Sequence, residues 1–141
     1  MKIKNIQLKS IEARRYTNLN ERPRKVRIDH NSSVSQITDI KNDQASIDFQ
    51  YTASYGPVGM IKLDGNLIYE NDDAKKLTDE WQNTRKMPNE IAGRIHTAVM
   101  HACVPEAVGI AKDLGLPPPI PLPQVKIGDN TKKAQGGPEI A

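Results

Sequence analysis

Cysteine is nearly absent from this sequence, with Cys103 as the single thiol among 141 residues. One cysteine cannot form a disulfide within the chain, and its scarcity fits a reducing compartment. The sequence opens on charged and polar residues instead of an apolar signal core. It also has no apolar run that approaches the roughly 20 residues needed to cross a membrane. We therefore expect a cytoplasmic protein without a membrane span.

Aromatic residues are also scarce, at 4% of the chain, and hydrophobic residues reach only 37%. Both fractions are low for a globular domain. A chain of this length suits one domain, but a single copy buries only a modest core. Association of identical copies adds buried surface, so we expect a homo-oligomer.

Neither sign of charge dominates: 20 lysines and arginines stand against 17 acidic residues, giving a net charge of +3. This balance is typical of a mixed, solvated surface, whereas nucleic-acid-binding domains usually carry a stronger basic patch. Nucleic acid is therefore an unlikely partner, but a basic cluster keeps a nucleic-acid-binding module open as the alternative function. No aromatic residues are interleaved in the cluster for base stacking. Its members are Arg14, Arg15, Arg22, Arg24 and Lys25.

No motif for catalysis, metal binding or phosphate binding is apparent. His96, His101 and Cys103 lie close in sequence, but spacings of five and seven residues do not place three ligands on one helix face. Two ordinary histidines and a buried structural cysteine explain them, since no third group or oxyanion loop accompanies a nucleophile. We therefore expect a binding protein without catalytic residues, metal or cofactor. An enzyme that gathers these three side chains in a pocket is a further alternative.

Alternation of apolar and polar residues predicts four strands. The clearest covers residues 45–55, and Gly56 and Pro57 then turn the chain into a second strand over residues 61–69, which makes a hairpin. Residues 3–18 predict a strand with a bulge near Lys9 and Ser10, where the apolar residues change face. Residues 25–40 predict a long, interrupted strand after a loop at residues 19–24.

Apolar residues follow a helical period after residue 72. Asp72 or Asp73 is placed to cap a helix that ends near Arg85, and this role explains the acidic pair without any acid–base chemistry. A second helix opens at Pro88 and continues to residue 115, with a kink or short break expected at Pro105.

Five prolines lie between residues 117 and 123. Such a run favours the polyproline II conformation. Its apolar neighbours Leu116, Ile120 and Leu122 favour a strap that lies against the body, with a ligand for a proline-binding module as the alternative. Residues 128–141 are polar and predict a flexible tail. A single domain is thus expected to cover residues 1–127.

The predicted order is four strands followed by two helices. This is an α+β fold in which a four-stranded antiparallel sheet has two C-terminal helices packed on one face. Aromatic and methionine side chains suit a tolerant apolar groove between sheet and helices, although core packing also explains the alternating aromatics. The groove candidates are Phe49, Tyr51, Tyr55, Met60, Tyr69, Trp81 and Met87.

The layout resembles the SecB family of protein-export chaperones. The resemblance is carried by residues 3–16, by the hairpin at residues 45–69, and by the end at residues 88–127. The end is the most telling part, because a helix that opens Pro88-Asn89-Glu90-Ile91 leads to an extended Leu122-Pro123-Gln124-Val125 segment.

The resemblance implies a tetramer, built as a dimer of dimers, that holds extended polypeptides between sheet and helices without using ATP. It also implies that the groove candidates contact the client. The basic net charge and the triple proline at 117–119 depart from the bacterial pattern and put a partnership with the SecA motor in doubt. A divergent relative, archaeal or associated with a toxin–antitoxin system, fits these departures. The sequence therefore predicts an ATP-independent holdase for unfolded or extended polypeptides, in protein export or in toxin–antitoxin control.

Overall fold

Antiparallel pairing joins the strands into a four-stranded sheet. The computed structural model describes residues 1–21 and 25–120. Within these ranges, β1 spans Lys2–Arg15, β2 Asp29–Lys41, β3 Gln44–Ser54, β4 Gly59–Glu70, α1 Ala74–Thr84 and α2 Asn89–Leu114. The strand order is β1-β4-β3-β2, so β1 and β2 form the edges of the sheet. The predicted α+β fold, a four-stranded antiparallel sheet followed by two helices, is confirmed.

The central strands β3 and β4 alternate strictly between buried and half-buried residues. Pairs such as Tyr51–Leu63 place their apolar side chains on the face that α1 and α2 cover, called the covered face below. The opposite, uncovered face carries polar pairs such as Gln50–Asp64. A sheet with one apolar and one polar face buries its hydrophobic side chains without needing helices on both sides.

β1 contains two irregularities where one was predicted. The register shifts after Lys4 and again after Leu8. The second shift lies at the predicted bulge, whereas the first is new, and Asn5 adopts a φ of 55° beside it. Asparagine tolerates this left-handed conformation better than most residues do. β1 ends at Arg15 instead of residue 18.

α1 begins after Asp73, which occupies the N-cap position but makes no capping hydrogen bond with its side chain. Its carboxylate instead accepts hydrogen bonds from the Tyr69 hydroxyl at 2.7 Å and from Asn71 Nδ2 at 2.8 Å. The predicted position is therefore right and the predicted capping contact is wrong, because a buried tyrosine hydroxyl nearby also needs an acceptor.

α2 runs without a break through Pro105, so a short break at this position is wrong. Proline removes the hydrogen bond to the carbonyl four residues earlier, that of His101. Both residues are exposed, so this carbonyl lies on the side of the helix that faces water. Gly115 ends the helix in the left-handed conformation, with a φ of 65°. Neither this helix nor α1 is long and apolar enough to span a membrane.

The topology brings three distant segments to one end of the sheet. β1 and β2 lie at opposite edges of the sheet, so their connection must cross one end of it. The end of β1 lies beside Gly59 of β4, and the start of β2 lies beside Ser54 of β3. The connection therefore passes the turn between β3 and β4. The 26 residues of α2 form a helix about 39 Å long. The C-terminal end of this helix reaches the same end of the sheet, where Arg15 contacts the Leu114 carbonyl.

Candidate functional site

A cleft with a volume of about 310 Å³, called the end cleft below, lies where these segments meet. It is lined by Arg15, Glu21, Val26, Val58, Gly115, Leu116 and Pro117. Ligand sites in proteins usually measure about 300–1,000 Å³. The end cleft is at the lower limit, so it suits a side chain of a larger partner better than a whole cofactor.

Arg15 holds two sides of the end cleft together through its guanidinium group. The acceptors are Thr17 Oγ1 at 3.1 Å and the carbonyl oxygens of Asn18 at 3.0 Å, Glu21 at 2.8 Å, Leu114 at 3.2 Å and Gly115 at 3.3 Å. An arginine side chain has five N–H donors, so every donor has a partner here. The positive charge also lies at the C-terminal end of α2, where the helix dipole is negative.

Leu116 and the prolines after it form a second wall of the cleft. Leu116 is 6% exposed and packs on Gly59, where an added Cβ would lie 3.3 Å from Leu116 Cδ1. The Tyr55 hydroxyl donates to the Pro117 carbonyl at 2.6 Å, and Pro119 is buried. These contacts are consistent with the predicted strap as far as Pro119, whereas Ile120, expected to lie against the body, is 46% exposed. Leu122 and the predicted tail at 128–141 lie outside the described residues.

Three exposed apolar side chains lie in the chain segments that also supply lining residues of the end cleft. Leu19 is 83% exposed, Tyr16 54% and Ile120 46%, all in segments that border the cleft. Val26 and Ile28, in the same connection as Leu19, are half-buried. Several large exposed apolar side chains near one end of a fold are a candidate surface for a partner to cover.

The groove candidates lie mostly in the interior of the single chain. Five are buried on the helix-covered side of the sheet: Phe49, Tyr51, Tyr55, Tyr69 and Trp81. Met87 packs half-buried against the same core. Met60 pairs with Ser54 and Arg14 on the uncovered face, so the structure separates it from the other six. Client contact through these residues stays a prediction.

Each of the three buried tyrosines has a hydrogen-bond partner for its hydroxyl group. These pairs are Tyr51 with His30 Nδ1 at 2.8 Å, Tyr55 with the Pro117 carbonyl at 2.6 Å, and Tyr69 with Asp73 Oδ1 at 2.7 Å. The partners lie in β2, after α2 and before α1. The hydroxyls therefore tie the covered face to three other parts of the fold, which phenylalanine could not do.

Burial raises the pKa of Tyr51, Tyr55 and Tyr69 from 10.0 to about 12. The folded-state pKa of these hydroxyls lies above the unfolded value, so their protonated form stabilises the fold. This stabilisation is complete below pH 10 and is lost as the pH rises toward 12. We therefore expect the free energy of unfolding, measured in urea, to fall between these two pH values while tyrosinate absorbance appears. Tyr55→Phe should remove one of the late-titrating groups. Constant stability across this interval would contradict the protonated, buried hydroxyls.

The two histidines and the cysteine that sequence reasoning considered together differ in environment. His96 Nδ1 is 2.7 Å from Ser32 Oγ, and His101 is exposed. Cys103 is fully buried, and burial, with a smaller effect of the Glu106 charge, raises its pKa to about 11. A thiol with a raised pKa is a poor nucleophile. No group of three or more histidine, cysteine or acidic side chains in the described ranges is arranged to hold a metal ion.

The basic cluster is divided between the two faces of β1. Arg14 pairs with Met60 toward the uncovered face, whereas Arg15 lies on the covered face with its donors fully used. Lys25 is exposed, and Arg22 and Arg24 lie outside the described residues. Arg15 is thus not free to bind phosphate, which removes one member from the nucleic-acid alternative.

Sequence reasoning did not predict the end cleft, because its walls come from three segments far apart in the chain. One signal was present. Ile11, Ala13 and Arg15 occupy the same face of β1, opposite Leu63, Ile61 and Gly59. An arginine that continues an apolar face must find several acceptors in the fold.

No protein-family model matches the chain, and no curated protein matches it in sequence. Among solved structures, the SecB-like chaperone Rv1957 of Mycobacterium tuberculosis matches with a TM-score of 0.55 and 14% identity. The match covers 89% of each chain, and that chaperone was solved in complex with a ChAD peptide from the Rv1956 HigA1 antitoxin. The chain therefore has a SecB-like fold, as the resemblance in its sequence predicted.

Proposed function

We propose that this protein is an ATP-independent chaperone that binds unfolded or extended polypeptides at the end cleft. The supporting observation is the exposure of Leu19, Tyr16 and Ile120, in the segments that form the cleft walls, in a chain with few apolar residues to spare. Water disfavours such exposure, so a partner that covers these side chains gains free energy. The SecB-like fold adds support, because Rv1957 has a peptide in its complex.

Apolar burial and backbone pairing supply the binding energy in this proposal. A client side chain that enters the cleft gains about 1.5–3 kcal/mol when it is fully buried. β2 is an edge strand that begins at Asp29, beside the cleft end of β3. An extended client can pair with the outer edge of such a strand, which favours extended segments over folded ones. Several weak contacts of this kind give reversible binding, and none of them requires nucleotide hydrolysis.

A homotetramer, built as a dimer of dimers, is part of the proposal. Ile11 lies on the covered face of the edge strand β1 and is 56% exposed. A second copy that covers this strand would bury Ile11 and add to a modest core. A cytoplasmic location and a role in protein export or in toxin–antitoxin control remain predictions.

Replacement of one exposed leucine tests the proposed site. Leu19→Ser should weaken binding of a reduced, alkylated polypeptide by about tenfold, because burial of a leucine side chain is lost. The fold should be unaffected, since Leu19 is 83% exposed. Fluorescence anisotropy with a labelled polypeptide measures both the wild-type affinity and the change.

The matched control is Ile40→Ser. Ile40 is 48% exposed at the opposite end of β2, next to the start of β3. Its replacement should leave the affinity unchanged. A wild-type protein that binds no unfolded polypeptide would overturn the proposed function. Equal losses in the two variants would overturn the location of the site.

A further inference from the structure

We infer that Arg15 is the positioning residue of the end cleft: its guanidinium group fixes the β1–β2 connection against the last turn of α2 and so sets the separation of the cleft walls. The effect on client binding rests on the proposed function. The effect on the cleft walls rests on hydrogen bonds alone. Wall mobility and client affinity are therefore measured separately.

The acceptors of Arg15 fall into two groups that are distant in sequence. Asn18 and Glu21 belong to the connection, whereas Leu114 and Gly115 end α2, 99 and 100 positions away from Arg15. Nη2 donates to the carbonyls of the connection, and Nη1 donates to the carbonyls at the end of α2. In the described part of the chain, no other side-chain hydrogen bond joins the end of α2 to the β1–β2 connection. Loss of the guanidinium group would therefore release both walls together.

Gly115 is shaped to receive this guanidinium group. A Cβ at Gly115 would lie 2.7 Å from Arg15 Nη1, and the residue has a φ of 65°. Any other residue would crowd the guanidinium group and strain the backbone. The absence of a Cβ at Gly115 thus leaves room for Nη1 to reach the carbonyls at the end of the helix.

Lysine cannot replace this arrangement. Its ammonium group offers three donors from one point, whereas the acceptors of Arg15 require five donors spread over a planar fork. The full use of the donors also leaves none for a carboxylate of the client.

Hydrogen–deuterium exchange of the full chain without any client tests the positioning role. In Arg15→Met, exchange at the hydrogen-bonded amides of both walls should rise together by about tenfold or more, because charged hydrogen bonds to both segments are lost. These amides are Tyr16, Asn18 and Glu21 in the connection, and Gly115 and Leu116 at the end of α2. β3 and β4 should keep their protection. Arg15→Lys should restore part of the protection, since it retains charge and some donors. Arg14→Met is the matched control, on the opposite face of the same strand, and should change neither segment.

A second variant, Gly115→Ala, perturbs the same contact while keeping Arg15. Backbone strain at φ 65° alone should accelerate exchange at the end of α2, so faster exchange in residues 16–21 is the informative result. Unchanged protection in Arg15→Met, or loosening of only one wall, would overturn the inference. Equal loosening in Arg14→Met would also overturn it.

Polypeptide affinity is the separate readout for binding. Arg15→Met should weaken binding by about tenfold or more, Arg15→Lys less, and Arg14→Met not at all. Loosened walls with unchanged affinity would overturn the link between Arg15 and client binding. A wild-type protein without affinity would instead overturn the proposed function, and the exchange data would still decide whether Arg15 positions the walls.

Discussion

Truncation of Phe49 to alanine is expected to lower the free energy of unfolding by about 3–5 kcal/mol. Phe49 is 1% exposed and lies directly opposite Gly65, across the two central strands. A Cβ at Gly65 would lie 2.5 Å from Phe49 Cζ, so the ring fills the space that a side chain would occupy. Removing the ring leaves a cavity in the core. The loss is a large share of the roughly 5–15 kcal/mol that stabilises a typical domain.

The contact between Phe49 and Gly65 also predicts the effect of adding volume to the core. Gly65→Ala should destabilise the protein by about 1–3 kcal/mol, because the added methyl group meets the Phe49 ring and the Gln7 carbonyl. Gly93→Ala is the control: no atom lies within 4 Å of an added Cβ at this exposed position in α2. It should stabilise the protein by about 0.5–1 kcal/mol, since alanine favours a helix. Urea unfolding measures all three variants.

These stability measurements also bear on the groove candidates. A Phe49 ring that contacts clients from an open groove would lose polypeptide affinity on truncation, with little change in the free energy of unfolding. A loss of stability below about 1 kcal/mol for Phe49→Ala would contradict the enclosed ring, because cavity formation in a core exceeds that value.

A carboxylate placed in the end cleft is expected to reduce polypeptide affinity by more than about 100-fold. Val26 lines the cleft and is half-buried. Val26→Asp removes an apolar contact and forces a bound client to desolvate a charge, which together exceed about 2.7 kcal/mol. Val26 lies outside the strands and helices but packs partly buried against the core, so circular dichroism and urea unfolding of Val26→Asp must first show a retained fold.

The control for charge is Thr38→Asp. Thr38 is exposed and pairs with Ser46 on the uncovered face, toward the far end of β2. It adds the same charge to the molecule without entering the cleft, so affinity should stay within about twofold, in line with the small effects of screened surface charges. An unchanged affinity in Val26→Asp would show that clients bind elsewhere. A similar loss in both variants would assign the effect to net charge.

The local pattern was sufficient to predict β3 and β4. Their two-residue alternation, from Ala45 through Tyr69, reflects one buried and one wet face, which is a property of neighbouring residues. The strand order was not predicted, because no local feature specifies that β1 pairs with β4. The first irregularity of β1, beside Asn5, was missed for the same reason: it depends on the partner strand.

The aromatic residues show why the site was harder to predict than the fold. Amphipathic rings suit both a core and a client groove, and the sequence does not distinguish these uses. The hydrogen-bond partners of Tyr51 and Tyr55 are 21 and 62 positions away, so their structural role becomes visible only in the fold. The end cleft depends on contacts of the same long range, above all those of Arg15.

Client binding at the end cleft is tested most directly by photo-crosslinking. A photoreactive side chain in place of Leu19 should crosslink to a bound unfolded polypeptide, and the same group in place of Ile40 should not. Leu19 is 83% exposed and Ile40, at the far end of β2, is 48% exposed, so crosslinking of each position to a folded protein measures the difference in accessibility. Crosslinking at position 19 alone is the result predicted here. Equal crosslinking at both positions, or crosslinking at position 40 alone, would contradict a polypeptide-binding site at the end cleft.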